Sequence, residues 1–91
     1  MHARQVLYSG HVQGIGFRYT VRRIASGYEV TGWVKNLPDG RVEMQAAAHE
    51  PQELEDFLEA VRDSSLSGNI KNVEMSEVIP PAGMKGFNIV S

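Results

Sequence analysis

Hydrophobic and polar positions alternate in some stretches of the chain and follow a helical period in others. A short apolar segment, Val6, Leu7 and Tyr8, predicts a first strand over about Gln5 to Ser9. Beyond a glycine-rich stretch the period changes. Phe17, Val21, Ile24 and Ala25 share one face of a helix expected over about Arg18 to Ser26, with Gly27 as a left-handed cap. A second strand, about Glu29 to Asn36, sets Val30, Gly32 and Val34 against Thr31, Trp33 and Lys35. In a third, Val42, Met44 and Ala46 alternate with Glu43, Gln45 and Ala47, so one face is buried. Pro51 suits the first turn of a second helix, whose stripe is Leu54, Phe57, Leu58 and Val61. Ser64 to Asn69 reads as a polar turn. A fourth strand carries Val73, Met75 and Val78, with a bulge expected where the alternation breaks at Val78. Pro80-Pro81 bends the chain before a last strand, Phe87 to Val90.

Strand, helix, strand, strand, helix, strand and a short terminal strand describe an α+β sandwich. Its two helices lie on one face of a mainly antiparallel sheet. Strands one and two then run in the same direction and end at the same edge of the sheet. A first helix of about nine residues rises roughly 13 Å. A second strand of about seven residues covers roughly 20 Å, enough to return Asn36 to the level of the glycine-rich loop.

Ninety-one residues, 42% of them hydrophobic, suit one domain over 1–91 with one modest core. The chain has no cysteine, which excludes disulfides and cysteine-ligated metal. No apolar run reaches the roughly 20 residues that span a bilayer. The start, Met1-His2-Ala3-Arg4-Gln5, lacks the apolar core of a secretory signal, and a cytoplasmic location without membrane attachment is expected. A formal net charge of −2 argues against a general polyanion binder, nucleic acid included.

Candidate chemistry sits in two places. The first is Gly10-His11-Val12-Gln13-Gly14-Ile15-Gly16-Phe17-Arg18, a glycine-punctuated loop between strand and helix that ends in an arginine. Such a loop turns backbone N–H groups inward, the helix start adds partial positive charge, and the guanidinium fork matches phosphate oxygens. The second is Gly32-Trp33-Val34-Lys35-Asn36-Leu37-Pro38-Asp39-Gly40-Arg41-Val42-Glu43, read as strand, tight turn and strand, with Asn36 at the tip. Each has an ordinary alternative. The loop could be a plain strand-to-helix turn with an exposed arginine, and an asparagine beside a hairpin commonly caps local backbone.

Together the two segments closely resemble the acylphosphatase family, whose signature runs G-x-V-Q-G-V-x-F-R, then G-W-V-x-N and D-G-x-V-E. Gly10, Val12, Gln13, Gly14, Phe17 and Arg18 match the first part, with Ile15 in place of the usual valine. Gly32, Trp33, Val34, Asn36, Asp39, Gly40, Val42 and Glu43 match the rest. The resemblance covers almost the whole chain and implies a ferredoxin-like βαββαβ fold. It implies Arg18 and Asn36 as the catalytic pair and a phosphate cradle running from His11 to Phe17. The expected phosphate-binding residues are Gln13, Gly14, Ile15, Gly16, Phe17 and Arg18. The implied reaction is hydrolysis of a small-molecule acyl phosphate by a monomer, with no metal and no cofactor, and with phosphate or sulfate as product or inhibitor. Two details depart from common members: His49-Glu50-Pro51 replaces E-G-P, and Leu37 stands where animal members often carry a hydroxyl. The second removes one source of a hydrogen bond to the Asn36 amide.

The residue types fit that reaction. An ordinary phosphate monoester has a poor leaving group and usually needs a metal, a general acid or a covalent nucleophile. An acyl phosphate releases a carboxylate that departs unprotonated, so binding the phosphoryl group and positioning water suffices. His11 is read as a loop side chain. His2 and His49 show no ligand spacing, and Asp39 in Pro-Asp-Gly is read as a turn residue. Glu53, Glu55, Asp56 and Glu59 are the solvated face of the second helix. Two rivals from other classes are an anion-holding module without hydrolysis and an RNA-binding βαββαβ domain. For the latter, Lys85-Gly86-Phe87 lies on the last strand rather than the third, and aligned aromatics are scarce.

Overall fold

A computed structural model describes all 91 residues, Met1 to Ser91. The elements are β1 (His2–Gly10), α1 (Phe17–Ala25), β2 (Thr31–Asn36), β3 (Val42–Ala48), α2 (Pro51–Arg62), a 3₁₀ turn (Ser67–Asn69), β4 (Ile70–Glu77) and β5 (Phe87–Val90). The strands form one sheet in the order β4-β1-β3-β2-β5. All neighbours are antiparallel except β2 and β5, which run parallel. The mainly antiparallel α+β sandwich with a short C-terminal strand is therefore the observed architecture.

Alternation decides which face of the sheet is covered. Val6 and Tyr8 of β1, Val34 of β2, and Val42, Met44, Ala46 and Ala48 of β3 are buried on one side. Against them pack Phe17, Val21 and Ala25 of α1 and Leu54, Phe57, Leu58 and Val61 of α2. Burying each of the larger of these side chains contributes about 1.5–3 kcal/mol. The Phe57 ring lies 5.5 Å from Phe87 and 6.0 Å from Tyr28, edge-on to both, which ties α2 to β5 and to the turn after α1.

Boundaries differ from expectation for identifiable reasons. β1 begins at His2 rather than Gln5, because its ladder with β3 extends to the His2–Ala48 pair. Gly27 is not a left-handed cap: it is absent from the glycines with positive φ, and Ser26 closes α1 in a right-handed conformation. The helix instead runs out through tight turns, with Gly27 N–H donating to the Ile24 carbonyl and Tyr28 N–H to that of Ala25. β2 starts at Thr31 rather than Glu29, whose N–H is taken by a Glu53 carboxylate oxygen of α2. The irregularity expected at Val78 lies at the other end of β4. Pairing passes from Ser9–Asn72 to Gly10–Ile70 and skips Lys71, whereas Val78 N–H still donates to the Ala3 carbonyl.

Candidate active site

β1 leaves the sheet at Gly10, and the His11 N–H donates to the Asn69 carbonyl just before β4. Val12 is fully buried and anchors the loop that follows. Gly14 and Gly16 both adopt φ of +78°, and a Cβ at either would meet nothing within 4 Å. Glycine is required there by backbone conformation, not by lack of space. Gly16 is the N-cap of α1, so no side chain caps the first turn, and no acidic residue occupies it. Phe17 is buried with its ring 5.1 Å from that of Tyr8, which fixes the helix start to β1. Burial pushes the Tyr8 hydroxyl well above its usual pKa, with the Arg62 charge pulling the other way, so the anchor stays neutral.

Arg18 follows on the first turn of α1, half-buried, with Nη1 donating to the Val90 carbonyl of β5 at 3.3 Å. Asn36 is the last residue of β2 and pairs with Val42 across the hairpin. No hydrogen bond within the chain engages its carboxamide. The hairpin closes where Gly40 N–H donates to the Leu37 carbonyl and Leu37 N–H to that of Arg41, at 3.2 and 2.8 Å. Asp39 accepts from Arg41 N–H at 3.1 Å and from Arg41 Nε at 2.9 Å. Chiefly the backbone N–H of Arg41 holds its carboxyl below the usual pKa. Asp39 is thus occupied by the turn.

These elements enclose a depression of about 130 Å³ lined by Val12, Gly14, Gly16, Phe17, Arg18, Tyr19 and Asn36. Five of the expected site residues therefore meet at one place: Gly14, Gly16, Phe17, Arg18 and Asn36. Gln13 and Ile15 do not line it. The Ile15 side chain faces solvent, and the Gln13 amide reaches away to the hairpin, donating to the Leu37 and Arg41 carbonyls at 2.8 and 2.9 Å. Tyr19 was not singled out by the sequence: an exposed tyrosine on a short helix has no period or motif to mark it. No three His, Cys, Asp or Glu side chains converge as metal ligands.

The sequence model of the acylphosphatase family matches residues 4–89. The chain belongs to the acylphosphatase family. A Bacillus velezensis acylphosphatase is 45% identical over 80 residues, covering 88% of each chain. The crystal structure of an acylphosphatase from Bacillus subtilis superposes with a TM-score of 0.89 at 36% identity, over 100% of both chains. The fold also matches the crystal structure of T. kodakarensis HypF at 30% identity and a TM-score of 0.83, over 100% of this chain and 12% of that one. Acylphosphatases hydrolyse the carboxyl–phosphate bond of acyl phosphates to carboxylate and inorganic phosphate, and this chain is such an enzyme. The residues lining the depression bring one guanidinium, one phenol and one neutral amide to two glycine-bearing turns, a set that can bind an anion and orient a neutral nucleophile and that includes no carboxylate or imidazole.

Proposed function

We propose that Arg18 and the N–H groups of residues Gln13 to Arg18 hold the phosphoryl group of an acyl phosphate while Asn36 orients the attacking water. The observation that carries this reading is that Arg18 and Asn36 line one depression with Gly14 and Gly16. Two left-handed glycines ahead of a helix start that no side chain caps support this reading, because such a start leaves main-chain donors available to an anion. Water held by the Asn36 amide attacks phosphorus in line with the carboxylate, and the P–O bond to the carboxylate breaks. The water's proton passes to a phosphoryl oxygen, because a neutral amide cannot accept it. The leaving carboxylate needs no protonation, so neither a general acid nor a metal is called for. The same reading makes inorganic phosphate and sulfate competitive inhibitors. It has residues 1–91 acting as one unit, a cytoplasmic monomer built on a single buried core.

Steady-state hydrolysis of benzoyl phosphate and acetyl phosphate tests the assignment. Arg18→Gln removes the only guanidinium in the depression and should lower turnover by at least about 10²–10³ while weakening phosphate inhibition. Asn36→Ala should lower turnover by a comparable factor but leave phosphate inhibition nearly where it was. Wild-type turnover in Asn36→Ala would refute the water-positioning role. Full activity in Arg18→Gln would remove the site from this depression altogether.

A further inference from the structure

We propose that Gln13 is a positioning residue that registers the β2–β3 hairpin, and hence Asn36, against the phosphate loop. This rests on the reading of Asn36 given above. One amide nitrogen spans two elements: Gln13 Nε2 donates to the Leu37 carbonyl at 2.8 Å and to the Arg41 carbonyl at 2.9 Å. Two carbonyl acceptors demand the NH₂ end of the amide, so its orientation follows from the acceptors, and both of its donors are used. The acceptors straddle the point that matters. Leu37 directly follows Asn36, and Arg41 directly precedes Val42, the residue opposite Asn36 in the ladder. The other hydrogen bonds that fix the loop and the start of α1 do not reach the hairpin: His11 N–H donates to the Asn69 carbonyl, Thr20 N–H to that of Gly16, and Arg18 Nη1 to that of Val90.

The hairpin tip is otherwise held by its own turn, with Pro38, Asp39 and Gly40 all exposed. Without Gln13, Asn36 keeps its rung with Val42, but the end of that ladder can drift relative to Gly14, Gly16 and Arg18. An in-line attack is sensitive to such drift, and a misplacement of about 1 Å can cost roughly 10²-fold in rate. Phosphate capture needs only the loop and Arg18, so it should be far less affected. The Gln13 side chain thus acts through Asn36 and itself touches neither substrate nor water.

A double-mutant comparison decides it. Gln13→Met keeps the volume and removes both donors. It should lower turnover of benzoyl phosphate by about 10–10²-fold and shift the inhibition constant of inorganic phosphate by no more than about threefold. In the Asn36→Ala background the same change should cost no more than about threefold, because the group it positions is already gone. Gln13→Lys, whose ammonium can donate to both carbonyls, should recover several-fold of the turnover lost in Gln13→Met. It also serves as the comparison if Gln13→Met does not fold, since a folded Lys variant with near-wild-type turnover then supports the clamp. The proposal falls if the Gln13→Met loss persists in full on top of Asn36→Ala. It also falls if phosphate binding collapses in step with turnover, or if the Lys variant folds with no better turnover than Met. Should Asn36→Ala itself leave turnover at the wild-type level, the water-positioning reading fails first, which separates the two failures.

Discussion

At the scale of single residues, the site depends on backbone conformation as much as on side-chain charge. Gly16 stands at φ +78° with open space where a Cβ would go. An alanine there meets no steric obstacle from its neighbours and must still adopt a left-handed conformation, at a cost of about 1–2 kcal/mol. Gly16→Ala should therefore lower the urea midpoint by a corresponding amount if the loop keeps its shape. If the loop relaxes instead, stability is spared, and phosphate inhibition and turnover fall together because the N–H groups point elsewhere. Urea titration and phosphate inhibition on the same preparation distinguish these responses, and no change in either would show that the left-handed cap contributes nothing. The positions of Gly14, Gly16, Arg18 and Asn36 in the depression were legible in the sequence, because a glycine-punctuated loop and a hairpin tip are local patterns. The destination of the Gln13 side chain was not. It is set by the placement of the Leu37 and Arg41 carbonyls, and no local pattern encodes that placement.

At the scale of elements, β2 is squeezed between two partners. It pairs antiparallel with β3 and parallel with β5, and Gly32 lies opposite both Ala46 and Phe87. A Cβ on Gly32 would sit 2.0 Å from the Gln45 carbonyl oxygen and 2.9 Å from Phe87 Cε2. The phenyl ring can move, but the β3 backbone cannot yield without opening the ladder. Gly32→Ala should thus cost about 1–3 kcal/mol through overpacking, read as a lower thermal midpoint, with slower turnover where β2 carries Asn36 out of place. An unchanged midpoint would mean that the β2–β3 ladder yields to the methyl group without loss, and would refute the overpacking argument. The helical stripes of Phe17, Val21 and Ala25 and of Leu54, Phe57, Leu58 and Val61 were readable because their period is strong. The parallel seat of β5 beside β2 was not, since four residues carry no signal of which edge they join. Strand ends were equally opaque: β1 reaches His2 and β2 begins at Thr31 because of their tertiary partners.

At the scale of the whole molecule, topology turns two distant segments into one site. β1 and β2 flank β3 and both oppose it, so their C-terminal ends meet at one edge, where the loop and the hairpin tip line the depression. The core lies below that edge, so fold stability and chemistry should be separable by mutation. Phe57 is the place to separate them. It is fully buried, belongs to α2, and packs on Phe87 and Tyr28, none of which lines the depression. Phe57→Ala removes a ring from a close-packed interior and should cost about 3–5 kcal/mol. A domain of this size has about 5–15 kcal/mol in total, so the variant should still fold at low temperature, with a much reduced urea midpoint. Turnover of benzoyl phosphate per folded molecule, measured at 10–15 °C with the folded fraction taken from circular dichroism, should stay within about twofold of wild type if the core only supports the site. A turnover loss far beyond the unfolded fraction would show that packing beneath α2 reaches the loop and the hairpin. Arg18 and Asn36 would then be held by the whole core and not by their own elements.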